Sequence, residues 1–336
     1  MKSTRLAFEE GFSGPFITHG IDVLDDPERP NAVYIFAVNH APHPAYRPSR
    51  SDREWHWEGP KARSQIELLH HVLDTTTVKH IRSIRHPLIR TPNDIYAESP
   101  SSFYVTNDHG YREGLQRLVE DVVPAAKWSS LIHVQLETLQ AQDAEAGIDA
   151  TVALTGLYNN NGLGHGSSPE DRMMITSAMG GLLYRAQPFP NQDGTISISV
   201  MEEIRVDSTI DNPTYFSDPS RTSATDDASG FVLAGLRRPI DMLKNQVDPS
   251  AKDGTMVWYV RSNTTTTSSV EDNGNEKTDE KWETRLLFED DGTHIRTASA
   301  AVLVPAPKQH PVEGKKAWLF VTGFYAESMI AVLVDL

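Results

Sequence analysis

Short apolar runs, each ended by Gly, Pro, Asn or Asp, constrain this chain more than any other feature. They recur from Ala32–Val38 through Ile95–Ala97, Ser102–Thr106, Ser130–Leu136 and Ala150–Leu154. The series resumes with Thr195–Val200, Gly254–Val260, Lys281–Phe288, Ala300–Val304, Lys316–Thr322 and Met329–Val334. Runs of this length with turn chemistry between them predict an all-β sandwich, barrel or propeller. No strict repeat period separates these three. At 336 residues the chain is long enough for one large β domain with a substantial core, and we read 1–336 as a single domain.

Composition narrows the function classes. With 31 basic and 46 acidic residues the net charge is −15, which argues against nucleic acid as a partner. The cysteine count of 0 excludes disulfides, thiolate nucleophiles and cysteine metal sites. No apolar run is long enough for a transmembrane segment, and Glu9-Glu10 interrupt any secretory h-region at the N-terminus. Compartment and oligomeric state are left open by these features. A serine hydrolase of the α/β type is disfavoured because no Gly-x-Ser-x-Gly elbow occurs. The histidines offer no spacing that would converge three or four ligands on zinc.

Three strings far apart in the chain offer the same chemistry: Asn93-Asp94, Asn161 and Asp211-Asn212. Each sets a hard oxygen at the start or end of a strand. Calcium takes roughly six to eight such oxygens and tolerates irregular geometry. Asn and Asp also favour turns through backbone hydrogen bonding alone, so an Asx turn beside Pro92 or Pro213 is the other reading. Two upstream imidazoles, His19 and His40, are candidates for a proton acceptor beside such an ion.

The strings Thr18-His19-Gly20-Ile21, Val38-Asn39-His40, Asn93-Asp94-Ile95 and Phe103-Tyr104-Val105-Thr106-Asn107-Asp108-His109 resemble the paraoxonase/arylesterase family. The likeness continues more weakly through Asn160-Asn161-Gly162 and Asp207–Asn212, and ends at Ala317–Tyr325. The resemblance implies a six-bladed β-propeller, here incomplete with about five blades, carrying one or two surface helices. It implies two Ca²⁺ ions. One, catalytic, would be held by Asn93, Asn161, Asp211 and Asn212. The other, structural, would involve Asp94 and the carbonyl of Ile21. It further implies that His19 and His40 activate water for attack on a small aryl ester or lactone.

On the same comparison Gln65–Leu73, despite its helical spacing, falls on a strand. Glu113–Val123 repeats apolar residues at i, i+3 and i+4 and reads as a surface helix packed on the sheets, as the family also has there. Loop insertions are expected near 42–63, 164–175, 213–230 and 262–280. The family pattern also includes a stretch ahead of His19, with a Glu-Asp pair, that this sequence lacks, and Arg237 stands where the family has a histidine. Those departures motivate the alternative reading of a degenerate, non-catalytic propeller used for binding. They also predict that Met1–Phe12 supplies no full blade.

Overall fold

The computed structural model describes residues 4–46, 61–167, 172–223, 225–245, 248, 250–263, 281–307 and 314–336. The chain forms two compact units: Met1–Leu157 with Pro190–Ser197, and Tyr158–Phe189 with Ile198–Leu336.

Unit 1 holds two sheets. The first runs in the order β1 (Ala7–Phe8), β5 (Thr77–Ile84), β4 (Ala62–Val72), β3 (Ala32–Pro42), β2 (Thr18–Asp25). Its neighbours are antiparallel except for β1, a two-residue strand added in parallel to β5. The N-terminal segment thus contributes an edge and no blade of its own, as expected. The second sheet is a meander of β6 (Pro92–Ser99), β7 (Ser102–Asn107), β8 (Ser129–Leu136) and β9 (Ile148–Leu157). Helix α1 (Leu115–Val122) lies between β7 and β8.

Strand β4 settles the ambiguous Gln65–Leu73 segment. Ser64 to Leu69 are all buried: Ile66 and Leu68 pack against the second sheet, while Gln65 and Glu67 on the other face are tied to Asn39 and Ser83. Its sequence reads either way because Ile66, Leu69 and Leu73 also stand at helical spacing, although Gln65-Ile66-Glu67-Leu68 alternates as a strand does. The unit 1 core joins Phe36, Val38, Ile66, Leu68 and Ile84 of the first sheet to Ile95, Phe103, Val105, Ile132 and Val134 of the second.

Under this core lies Arg82, only 1% exposed. Its guanidinium donates to the carbonyls of Thr138 (3.0 Å), Ala146 (2.7 Å) and, at 3.5 Å, Asp143. Replacing Arg82 with Met would leave those carbonyls without their donor. The expected cost is about 3 kcal/mol, and calorimetry should show a melting temperature roughly 5–10 °C lower. An unchanged transition would show that the 138–146 loop does not depend on this cation.

Unit 2 holds three antiparallel sheets: β10 (Asn160–Gly164) to β13 (Ile196–Arg205) through β11 (Met173–Ser177) and β12 (Leu182–Pro190); then β14 (Pro213–Phe216), β15 (Gly230–Leu236), β16 (Thr255–Ser262) and β17 (Trp282–Asp290); then β18 (Ala298–Pro305), β19 (Lys316–Gly323) and β20 (Ile330–Asp335). The second helix, α2 (Pro239–Asn245), lies between β15 and β16. Sheet-on-sheet contacts carry the core. Met174, Leu183 and Ile204 meet Phe231, Leu233 and Val260, while Val232, Ala234 and Val257 meet Ala301, Leu319 and Val321.

The class is therefore all-β with two short helices, in five blade-like sheets of which no sixth appears among the described residues. Three expectations need correction. Helix α1 forms where the sequence places it, but it does not bury its apolar side: Leu115, Leu118, Val119 and Val122 are exposed and Glu120 is the buried residue. The physical reason is that the Glu120 carboxylate accepts the N–H groups of Gly110 (2.8 Å) and Tyr111 (3.1 Å), which turns that face inward. The 213–230 segment is not one insertion, since it opens with β14, which pairs with β15. The 164–175 segment likewise ends inside β11. The 42–63 and 262–280 segments lie mainly outside the described residues, as do Trp55, His56 and Trp57.

Sheets in both units share a local device. Their first strand carries a bulge two or three residues in: between Thr18 and Ile21, Pro92 and Ile95, Asn160 and Leu163, and Ala298 and Ala300. At two of these a threonine hydroxyl on the second strand takes the bulge N–H, Thr106 from Asp94 (3.0 Å) and Thr176 from Gly162 (2.8 Å). Bulges re-aim side chains, and these sit at the residues singled out for chemistry.

Candidate active site

In unit 1 the bulge of β2 places His19 against His40, which stands near the end of β3. His19 Nδ1 lies 3.1 Å from His40 Nε2, and His40 Nδ1 lies 2.8 Å from Ser64 Oγ on β4. The three groups form a line from the exposed His19 inward to Ser64. In the tautomer in which His40 donates to Ser64, His40 Nε2 accepts the Nδ1–H of His19. His19 Nε2 is then left with a lone pair.

Although His19 keeps contact with solvent, partial desolvation by the surrounding protein lowers its imidazole below the ordinary pKa, with the Asp108 carboxylate opposing. His40 is lowered further, to about 4, by burial, then by His19, while Asp108 pulls it up and Arg112 pushes it down. Both rings are therefore neutral at pH 7, the state a proton acceptor requires. Asp108 stays ionised: burial raises its pKa, but the hydrogen bond with His109 and nearby cations outweigh that and hold it low.

His109, next in sequence to Asp108, is buried and paired with carboxylates. Its ring is 4% exposed, with Nε2 3.0 Å from Asp121 and Nδ1 3.0 Å from Asp108. Arg237 in unit 2 is an exposed partner of Glu289 at 3.0 Å.

Asn93 and Asp94, at the start of β6, are each 5% exposed. They meet β2 at Gly20, where a Cβ would stand 2.2 Å from the Asn93 carbonyl and 2.6 Å from Asp94 Oδ1. Unit 1 thus brings His19, Gly20 and Ile21 to one seam with Asn93 and Asp94. Unit 2 repeats the arrangement: a Cβ on Gly162, next to Asn161, would stand 2.7 Å from Asn212 Cα and from the Asp211 carbonyl. Asn212 also donates its side-chain N–H to the Ser299 carbonyl at 3.0 Å. The candidate calcium donors divide between the units, with Asn93, Asp94 and Ile21 in the first and Asn161, Asp211 and Asn212 in the second. Within each unit they are hard amide, carboxylate and carbonyl oxygens at a glycine seam, a donor set suited to calcium. No group of three or more His, Asp or Glu that could hold a metal gathers among the described residues. An amide-dominated donor set does not call for one.

The Arylesterase family profile matches residues 55–156, which contains the β6–β7 block beside this seam. Serum paraoxonase/arylesterase 2 of Gallus gallus is 28% identical over 163 residues, 48% of this chain and 37% of that protein. Serum paraoxonase/arylesterase 1 of Homo sapiens is 30% identical over 118 residues, 35% of this chain and 27% of that protein. Serum paraoxonase/lactonase 3 of Homo sapiens is 22% identical over 257 residues, 76% of this chain and 59% of that protein. These matches support an assignment to the paraoxonase/arylesterase family over part of the chain. In these alignments the chain spans between 27% and 59% of the relatives' own length.

Sequence reasoning did not single out Ser64, Asn39 or Asp108 as members of the site. A signal for one of them exists. Asn39 precedes His40 as Asn107 precedes Asp108-His109; Asn107 is the last residue of β7, and Asn39 stands three residues before the end of β3. Each pins the backbone ahead of the first strand: Asn39 accepts from Ile17 N–H, and Asn107 from Arg90 and Thr91 N–H.

Unit 2 also contains a cavity of about 670 Å³ lined by Asp218, Asp226, Lys315 and Trp318 among others. Lys315 there pairs with Asp218 and Asp226, and none of the candidate site residues lines the cavity.

Proposed function

We propose that this protein hydrolyses small carboxylic esters and lactones, with His19 as the group that takes a proton from water. The observation that carries this reading is the imidazole pair at 3.1 Å, with its inner ring backed by Ser64. As His19 Nε2 accepts a proton, the Nδ1–H bond to His40 Nε2 spreads the developing charge. The Asp108 carboxylate favours that cation through space. Ser64 holds the inner ring in the required tautomer.

On the family likeness, Asn93 in the first unit and Asn161, Asp211 and Asn212 in the second are each proposed as calcium ligands serving catalysis. Asp94 and the Ile21 carbonyl are proposed to serve a second, structural ion. Bound calcium would supply Lewis-acid polarisation of the ester carbonyl and stabilisation of the oxyanion. The support for calcium is the family likeness together with the hard-oxygen donors at each glycine seam.

Hydrolysis of phenyl acetate and of a δ-lactone, measured with and without EDTA, tests the proposal. Turnover lost on chelation and restored by calcium is the expected result, and turnover indifferent to EDTA would remove calcium from the reading. Two substitutions should separate the ions. Asn161→Ala is expected to abolish turnover with little change in melting temperature. Asp94→Ala should reduce the melting temperature and its dependence on calcium, because a bound ion stabilises the fold by its binding free energy. A calcium-dependent melting curve identical to wild type in Asp94→Ala would remove the structural-ion assignment.

A binding scaffold without turnover is the second reading, motivated by Arg237 in place of the family histidine and its surface pairing with Glu289. Phenyl acetate left intact in the presence of calcium would favour it.

A further inference from the structure

Behind the imidazole pair lies a charge that the proposed reaction does not use. Glu67 on β4 is completely buried, yet its carboxylate accepts four hydrogen bonds. Oε1 takes Asn39 Nδ2–H at 2.8 Å and Gln65 Nε2–H at 2.6 Å. Oε2 takes Ser83 Oγ–H at 2.6 Å and lies 3.0 Å from His80 Nε2. Burial raises its pKa, but these four donors more than offset that, so the group remains an anion. A buried charge is costly unless fully bonded, and an apolar residue could fill the space.

What the carboxylate does beyond packing is visible in the next link. Asn39 Oδ1 accepts the Ile17 N–H at 2.9 Å, and Asn39 Nδ2 also reaches the Pro15 carbonyl at 3.1 Å. The Ile17 carbonyl in turn accepts the backbone N–H of His40 at 2.9 Å. Ile17 is therefore held from both sides, two residues before His19, at the point where the β2 bulge begins. An asparagine carboxamide can face either way. Oε1 of Glu67 is acceptor-only and fixes Asn39 with its nitrogen toward the carboxylate and its oxygen toward Ile17.

We propose that Glu67 is a positioning residue for the imidazole pair: its buried carboxylate orients the Asn39 carboxamide, and Asn39 fixes the backbone from which His19 projects. The role in turnover rests on the hydrolase reading above; the role in geometry does not.

Glu67→Gln keeps the shape but turns an NH₂ group toward two of the four donors. Asn39→Ala keeps the charge and removes the next link. Ser83→Ala removes an Oε2 partner on the side away from Asn39 and is the control. The full chain is assayed with phenyl acetate, and the ring resonances of His19 and His40 are followed by NMR. Glu67→Gln and Asn39→Ala are each expected to lower kcat about tenfold or more, with KM within about twofold, because a small displacement of the base is enough for such a loss. The double variant should be no worse than the poorer single one, since both act through one link. His19 ring resonances should move in both variants and stay put in Ser83→Ala, although that control loses stability.

Unchanged kcat and unchanged His19 resonances in Glu67→Gln would overturn the proposal and leave Glu67 a structural charge. Multiplying effects in the double variant, or an equal response from Ser83→Ala, would overturn it as well. Should Glu67→Gln fail to fold, Asn39→Ala against Ser83→Ala decides alone. If the wild-type chain turns over no ester, the hydrolase reading fails separately, and the His19 and His40 resonances still test the positioning.

Discussion

Substituting His40 with Gln is expected to reduce kcat for phenyl acetate by a factor of about 10² to 10⁴, the range that a positioned acid–base group contributes. Gln offers no basic ring nitrogen to share the charge developing on His19, whose Nδ1 lies 3.1 Å from His40 Nε2, although it can still bond to Ser64. The pH profile provides a sharper reading than the single rate. Desolvation lowers both imidazoles, so the pair remains neutral below the ordinary histidine value of 6.5. Activity should therefore hold level from pH 8 to below 6.5, and its acid limb should lie under that of an unperturbed histidine.

Stability follows the same shift with a defined sign. Between about 4 and 6.5 the unfolded chain binds the His40 proton and the folded chain does not. The contribution of His40 is thus intact above 6.5 and is lost as pH falls toward about 4. His40→Gln should remove that part of the slope in a denaturation series. A wild-type acid limb centred at 6.5, or a slope unchanged in the variant, would show that the ring is not shielded as described.

The largest loss of stability is expected from the smallest substitution. Gly20→Ala adds a methyl group 2.2 Å from the Asn93 carbonyl and 2.5 Å from Asp94 Cα. Both neighbours are backbone, so no side chain can swing away, and β2 and β6 must separate. Overpacking of this kind should cost about 3 kcal/mol or more. Because Ile21 and Asp94 flank the contact, turnover should fall together with melting temperature. Gly14→Ala is the control: a Cβ there meets nothing within 4 Å, and the melting temperature should stay within about 2 °C of wild type. Gly162→Ala poses the same test in unit 2, where the added carbon would stand 2.7 Å from Asn212 Cα. Equal stability of the Gly20 and Gly14 variants would mean that the β2–β6 seam is wider than described.

Much of the strand content was legible because alternation and turn residues are local signals. The runs at Ala32–Val38, Ser102–Thr106, Ser130–Leu136 and Lys316–Thr322 all fall on strands. Strand β15 was not among the expected runs. Its residues, Gly230 to Leu236, are all buried, and they carry no polar alternation to mark a strand. The repeat of first strands was hidden for a different reason. Thr18-His19-Gly20-Ile21, Pro92-Asn93-Asp94-Ile95 and Asn160-Asn161-Gly162-Leu163 share only an aliphatic fourth position. What recurs is the bulge, a property of backbone pairing.

The sequence by itself indicated the all-β class, the turn chemistry and the oxygen and imidazole groups that the proposed reaction would use. Tertiary structure decided which of them meet. His19 and His40 are 21 residues apart and come together only because β2 pairs with β3 in one register, with the bulge turning His19 toward the ring. Ser64, from the next strand, completes the line only because β4 pairs with β3 so that His40 faces Ser64. Glu67, 28 residues from Asn39, gives no sign in sequence of being a buried anion. Its state depends on four donors from three strands. Register is fixed by which faces are buried, and burial is a property of the packed sheets that no local run of residues contains.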